Sequence, residues 1–342
     1  MDDVIAGFPS EMQAGRISRR RLIKTLGLAF AGASMNRRLA AQAGKGFKAI
    51  LIDHISFEVS DYKRSRDWYV DVLGMTVQHD DGKGTAYLRF GDSVLIVRNG
   101  RTRSTPPNVD HIAYRIESWN TDRVKAELDR RGVKNVGAAV GPLRLDVPAP
   151  PTNPNYVSYH VADPDGVDLE IAGIAQPGDP QYKAAAASVA VFRQVPRTDG
   201  GLRAIFVNHI SYSVANYRTT RDFYADLLGM AVTNEDDQQL YLRFGDSVSM
   251  VRRASPAHPE AKPGTFDHMG YHIENWQTDH VLEELKRRGV RGTNGRELSA
   301  GTSVDGPQEN YTHVHVADPD GYDVEICGVA QPGDRLYKKP AV

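Results

Sequence analysis

His160-Val161-Ala162-Asp163-Pro164-Asp165-Gly166-Val167-Asp168-Leu169-Glu170, continued by Ile171-Ala172-Gly173, recurs as HVADPDGYDVEICG at residues 315–328. Apolar residues alternate with polar ones on both sides of a Pro-Asp-Gly stretch, the pattern of a β-hairpin. A three-residue turn with Gly166 in the left-handed region suits Asp163 to Val167. In that register paired residue numbers sum to 330, so His160 lies opposite Glu170 on one face of the sheet. The second copy places His315 opposite Glu325 in the same way.

The repeat extends well beyond this hairpin. AQPGD at Ala175 returns at Ala330, and SWNTDRVKAELDRRGV from Ser118 matches NWQTDHVLEELKRRGV from Asn275. A unit of about 130 residues is therefore duplicated, and that period governs every finer reading. Each copy divides again. A strand near 52–59 leads into a helix from Ser60, the expected N-cap, to Leu73 with Gly74 at its end. Strands follow, with Gly91-Asp92 as a hairpin turn. The plan then restarts with a strand at His111 and a helix from Thr121 to Arg131, ended by Gly132. The fold class expected is α+β, built from four βαβββ modules near 52–100, 109–173, 207–253 and 266–328. The expected divisions are 1–43, a signal segment; 48–180, a first two-module domain; 181–204, a linker; and 205–335, a second two-module domain.

Each first strand of a module carries a histidine: DHISFEV at His54, DHIAYRI at His111, NHISYSV at His209 and DHMGYHI at His268. With Glu170 and Glu325 they form the pattern His…His…Glu twice, at intervals of 57 and 59, then 59 and 57. Two imidazoles and one carboxylate hold a divalent metal while leaving coordination positions open. A carboxylate in a half-buried strand also needs a neutralising partner. The expected metal ligands are His54, His111, Glu170, His209, His268 and Glu325. His160 and His315, beside the carboxylates, are the candidate acid–base groups. Asp165 and Asp320 read as turn formers, and Cys327 as a small buried residue on the face of Glu325. Trp68, Tyr69, Phe223 and Tyr224 recur at helical spacing and read as core.

The chain has 342 residues, 40% hydrophobic and 25% charged, the composition of a globular protein. A net charge of −1 gives no electrostatic case for nucleic acid as a partner. The lone Cys327 excludes an intrachain disulfide. Basic residues from Arg19 to Lys24, an apolar stretch from Thr25 to Met35, and Ala41-Gln42-Ala43 follow the order of a secretory signal. The arginines ahead of Leu22-Ile23-Lys24 suggest the twin-arginine type, which exports folded proteins. A periplasmic or secreted location is expected, with no stable membrane span once the signal is removed. Long loops, Gly137 to Asn155 and Gly292 to Asn310, read equally as lids or as tolerated insertions.

The paired βαβββ modules, the strings WYVDVLGM and FYADLLGM, and DPDG followed by Glu resemble the vicinal oxygen chelate superfamily over about residues 48–335. That group includes glyoxalase I, extradiol ring-cleaving dioxygenases, epimerases, fosfomycin-modifying enzymes and metal-free binding proteins. Relative to glyoxalase I, the strands Ser93–Val97 and Ser247–Val251 have no glutamate. Relative to extradiol enzymes, Ser247-Val248-Ser249 stands where a catalytic histidine is expected, and His315 stands where a tyrosine is. The resemblance implies a non-haem dioxygenase-like enzyme using Fe(II) or Mn(II), with Zn(II) as the alternative metal. Its substrate would be a small molecule chelating through vicinal oxygens. A lyase or isomerase on the same centre, or a sequestration protein, are the other readings. Self-association into a homo-oligomer is left open.

Overall fold

The computed structural model describes residues 46–100, 108–136, 142–146, 153–184, 199–253, 264–302 and 309–339. The predicted signal, 1–43, lies outside the described residues, as do 185–198 of the predicted linker and parts of both long loops.

The first half contains β1 (Ala49–Val59), α1 (Tyr62–Leu73), β2 (Thr76–Asp80), β3 (Thr85–Phe90) and β4 (Ser93–Asn99). Then come β5 (Asn108–Ile116), α2 (Thr121–Arg130), β6 (Leu145–Asp146), β7 (Tyr156–Ala162) and β8 (Asp168–Ile174). The second half repeats this as β9 (Ala204–Val214), α3 (Tyr217–Leu227), β10 (Ala231–Glu235), β11 (Gln239–Phe244) and β12 (Ser247–Arg253). It closes with β13 (Thr265–Ile273), α4 (Thr278–Arg287), β14 (Gly301–Thr302), β15 (Tyr311–Ala317) and β16 (Asp323–Val329). Four βαβββ modules result, paired into two domains.

Each domain is one eight-stranded mixed sheet, ordered β2-β3-β4-β1-β5-β8-β7-β6 and β10-β11-β12-β9-β13-β16-β15-β14. The two first strands of a domain run antiparallel at the centre, so the modules are related by a local two-fold. The last strand of each module lies parallel to its first, as β1 with β4 and β5 with β8. The long loops contribute the outermost strands: β6 pairs with β7, and β14 with β15. Those described parts are sheet edge, which the loop reading did not anticipate.

Local chemistry explains the element boundaries. Asp61, not Ser60, caps α1, accepting from the backbone N–H groups of Lys63 and Arg64. The Ser60 N–H instead donates to Asp320 at 2.9 Å. Gly74 ends the helix with φ of 63°, where a side chain would be strained.

The two halves interlock around one apolar core that draws residues from both. Phe90 meets Tyr271 edge-on and Tyr114 meets Phe244 likewise, with ring centroids 5.5 and 5.2 Å apart. Tyr69 and Tyr224, expected as core residues, are buried, with Trp68 and Phe223 packed at the margin. The DPDG turns perform a second task. Asp163 and Asp318 brace their own turns by accepting two backbone N–H groups each. Asp165 and Asp320 reach instead to the opposite half: Asp165 accepts from Ala215 N–H and the Thr220 hydroxyl, Asp320 from Ser60 N–H and the Ser65 hydroxyl. Asp165 and Asp320 thus sit in the turns as expected, each inside a turn closed by Gly166 N–H on Asp163 or Gly321 N–H on Asp318, while their carboxylates reach further than the turn reading anticipates. The physical reason is that the first aspartate of the motif already satisfies the turn, leaving the second free to cross.

Candidate metal centres

β1, β5 and β8 lie side by side, and this places His54, His111 and Glu170 on one buried face. His54 Nε2 stands 2.9 Å from His111 Nε2 and 3.0 Å from Glu170 Oε2, and the His111–Glu170 distance is 3.4 Å. In the second domain His209, His268 and Glu325 repeat this, at 3.0, 3.3 and 3.3 Å. All six predicted ligands are therefore brought together in two buried triads, each with three ligand atoms close enough to share an ion. Bonds of roughly 2.1 Å put donor atoms ~3.0 Å apart at right angles and ~3.4 Å apart at tetrahedral angles. The observed spacings span that range. Two imidazole lone pairs facing each other at 2.9 Å repel unless a proton or a cation lies between them, so the donor set fits a metal.

The outer nitrogens fix the tautomers. His111 Nδ1 faces Asp110 at 2.7 Å, His268 Nδ1 faces Asp267 at 2.9 Å, and His54 Nδ1 faces Asp53 at 3.2 Å. His209 Nδ1 faces the side-chain oxygen of Asn208 at 3.1 Å. These acceptors require N–H on Nδ1 and leave Nε2 as the ligand atom. The sequence reading gave no role to the residue before each histidine; a polar side chain at all four places was the available signal.

The tyrosines Tyr156 and Tyr311 were also missed. Tyr156 donates to Glu170 Oε1 at 2.7 Å and Tyr311 donates to Glu325 Oε1, fixing which carboxylate oxygen faces the histidines. Burial raises both phenols well above their ordinary range, so they remain donors. Each lies four residues before its candidate acid–base histidine on the same strand face, a repeat visible in NYVSYH and NYTHVH.

The hairpin register is the one the sequence predicts, His160 opposite Glu170 and His315 opposite Glu325. Their Nε2 atoms lie 3.5 and 3.2 Å from the carboxylates, and their Nδ1 atoms meet Asp168 and Asp323 at 2.9 Å. Both rings are partly exposed, unlike the triads. Burial favours the neutral form of His315, but Asp323 and Glu325 overcome it and raise the ring to about 10. Burial likewise works to raise Glu170 and Glu325, and the surrounding imidazoles hold both below the usual carboxylate range.

The two triads differ in their surroundings. Burial would lower His54, yet Glu170 and Asp53 raise it to about 10, while burial prevails at His209 and lowers it. Arg115 donates to Asp53 at 2.6 Å in the first domain. The corresponding His272 stacks on Phe206 and is lowered to about 4 by burial. Cys327 is fully buried, as predicted, and burial raises its thiol. Neither β4 nor β12 adds an acid or an imidazole to the triads. Paired with the histidine-bearing strands there are Val94 and Ile96, and Val248 and Met250.

A family model described as Glyoxalase/Bleomycin resistance protein/Dioxygenase superfamily matches residues 51–171 and 206–326, more than half of the chain. The chain belongs to this superfamily. Its solved structural neighbours include a Mn(II)-bound glyoxalase from Novosphingobium aromaticivorans, with a TM-score of 0.60 and 18% identity, covering 83% of this chain and 84% of that one. Homoprotocatechuate 2,3-dioxygenase from Arthrobacter globiformis aligns with a TM-score of 0.58 and 19% identity, over 84% of this chain and 82% of that one. A curated relative, metallothiol transferase FosB of Staphylococcus saprophyticus, is 22% identical over 134 residues, 39% of this chain and 83% of its own length. At these identities the structural likeness speaks for the superfamily fold.

Proposed function

We propose that the protein is an exported, metal-dependent enzyme of this superfamily with one mononuclear centre in each domain. The observation that carries the reading is the doubled set of three donor atoms 2.9–3.4 Å apart, with each histidine Nδ1 held by a polar neighbour. Fe(II) or Mn(II) suits two imidazoles and a carboxylate best, and Zn(II) is the alternative. One structural neighbour, the glyoxalase, is a Mn(II)-bound protein, which agrees with that choice. When bound, the ion would supply Lewis acidity to two neighbouring substrate oxygens and, as Fe(II), access to dioxygen.

The chain's own residues would do the rest. Tyr156 and Tyr311 orient the glutamates. His160 and His315 each offer Nε2 as the atom that donates or accepts a proton beside the centre, with Nδ1 anchored on Asp168 or Asp323. With Val94, Ile96, Val248 and Met250 apolar and the phenols of Tyr156 and Tyr311 raised by burial, these histidines are the groups suited to exchange a proton near neutral pH. Dioxygenase-like chemistry on a small substrate with vicinal oxygens is the leading assignment. The absence of a further imidazole on β12 favours a lyase or isomerase as the second reading.

The decisive test is metal analysis of protein from its native compartment, followed by oxygen uptake on a catechol. Iron with oxygen uptake supports the dioxygenase. Metal without uptake directs the assignment to the lyase or isomerase. Protein that takes up no Fe, Mn or Zn sinks both. Export in the folded state, inferred from the arginines at 19–21, would load the metal before the protein leaves the cell. Identical metal content in protein folded outside the cell would overturn that part.

A further inference from the structure

The duplication has preserved both triads while changing what surrounds them. In the first domain the Nδ1 of His54 meets a carboxylate, Asp53, which is itself held by Arg115. Asp146 on β6 adds a second carboxylate, 3.9 Å from His160 Nε2. In the second domain each of these positions has lost its charge. Asn208 replaces Asp53, and its amide nitrogen is buried with no hydrogen-bond partner among the described residues. His272 replaces Arg115 and lies flat against Phe206, ring centroids 4.6 Å apart.

The strand pairing shows the third change. Asp146 pairs with Ser158 on β7, and Gly301 pairs with His313 on β15. A Cβ at Gly301 would stand 3.1 Å from His313 Nε2, so the glycine makes room for the ring. At these three differing positions the first centre has two carboxylates and one guanidinium, and the second an amide and two imidazoles; Asp110 and Asp168 in the first have their counterparts Asp267 and Asp323 in the second.

We propose that the two centres are unequal, the His54–His111–Glu170 centre binding a divalent cation more tightly than the His209–His268–Glu325 centre, with Asp53 as the positioning residue that sets the order. This rests on reading both triads as metal centres. A carboxylate behind a ligand histidine orients the ring and increases its donor strength, and losing such a partner costs about 10–100-fold in metal affinity. A neutral amide does this less well, and the three changed positions together give the first centre one net negative charge more than the second, which adds attraction for a cation.

The test compares full-length single-centre variants by Mn(II) titration, following free Mn(II) by electron paramagnetic resonance. His209→Ala retains the first centre and His54→Ala the second. The first centre is expected to bind about tenfold tighter or more. Transplanting the surroundings should move the order: Asn208→Asp with His272→Arg tightens the second centre, and Asp53→Asn with Arg115→His loosens the first. The gain at the second centre matters most, because damaged folding cannot produce it. Equal affinities or a tighter second centre would overturn the inequality, and transplants that move neither centre would overturn the role of Asp53 in setting it; each outcome leaves the metal reading intact. Wild-type protein that takes up no Mn(II), Fe(II) or Zn(II) would overturn both.

Discussion

The hydroxyl of Tyr69, on the first helix, donates to the buried carboxylate of Asp318 in the other half of the chain, at 3.0 Å. Tyr224 donates to Asp163 at 3.2 Å in the mirror arrangement. Burial raises the pKa of Asp318 to about 7, with the charge of Asp320 adding to the rise and the backbone N–H groups of Asp320 and Tyr322 and the Tyr69 hydroxyl opposing it. Burial raises Asp163 to about 6, with Asp165 as its charged neighbour. A folded pKa above the unfolded one favours folding while the group is protonated, and that stability is lost as pH rises through the folded value. Stability should therefore fall between about pH 4 and pH 7 on account of Asp318, and between about pH 4 and pH 6 on account of Asp163. Asp318→Asn keeps a backbone acceptor for the turn and can donate to Tyr69. It should stabilise the protein at pH 8 by roughly 2–4 kcal/mol and flatten that pH dependence. Thermal melts of both proteins from about pH 5 to pH 8 check this, and an unchanged slope would exclude it.

Stoichiometry offers a direct check on the triads. His54→Ala and His209→Ala should each remove about half of the bound metal, and the double variant all of it. Elemental analysis after dialysis against Mn(II) in excess of both dissociation constants reads the result. A single substitution that empties both centres would show that they are not independent.

The glutamate-orienting tyrosines should matter for affinity more than for folding. Tyr156→Phe leaves Glu170 without its 2.7 Å donor and removes little packing. Metal affinity at the first centre should fall about tenfold, with a stability change of about 1 kcal/mol. Metal titration and denaturant unfolding on the same sample separate the two effects.

His315→Gln separates proton transfer from metal holding. The expected outcome is unaltered metal content with turnover reduced by about 10²–10⁴ at the second centre, measured as oxygen uptake on an accepted catechol. Loss of metal in this variant would make His315 a ligand instead.

Backbone of the two halves comes into close contact at Gly91 and Gly245, both with φ of 50°. A Cβ at Gly91 would lie 1.9 Å from the carbonyl oxygen of Ile205, and one at Gly245 would lie 2.0 Å from that of Ile50. Gly245→Ala should lower stability by at least about 2 kcal/mol, since backbone on both sides must shift. Differential scanning calorimetry tests it; a melting temperature equal to wild type would mean the halves can part locally without cost.

Much of this arrangement was legible because its signals are local and repeated. The alternation around HVADPDG specifies a hairpin, and hairpin arithmetic alone places His160 across from Glu170. The module count follows from the period of the duplication. What could not be read is whatever depends on contacts between distant segments. Asp165 and Asp320 are turn residues, as the motif suggests, but the turn does not use their carboxylates. Only the packing of one half on the other shows that the second aspartate reaches the start of a helix in the opposite half. Ser60 and Asp61 are both good caps in isolation; in the structure Asp61 Oδ1 accepts from the helix N–H groups, while the Ser60 hydroxyl accepts from the Arg64 guanidinium. Tyr156 and Tyr311 were hidden for another reason: a tyrosine in an apolar strand is ordinarily core, and its hydroxyl's partner emerges only with the neighbouring strand in register.

The clasp between the halves is isologous: what Asp163 and Asp165 do to the second half, Asp318 and Asp320 do to the first. Such self-complementary contact is the signature of a two-fold homodimer. The duplicated chain is in effect a dimer whose subunits have been covalently joined, so its assembly does not depend on protein concentration. Joining also frees the two copies from having to remain identical. A homodimer would have to accept Asn208 and His313 at both centres or at neither, whereas this chain carries each at one centre only.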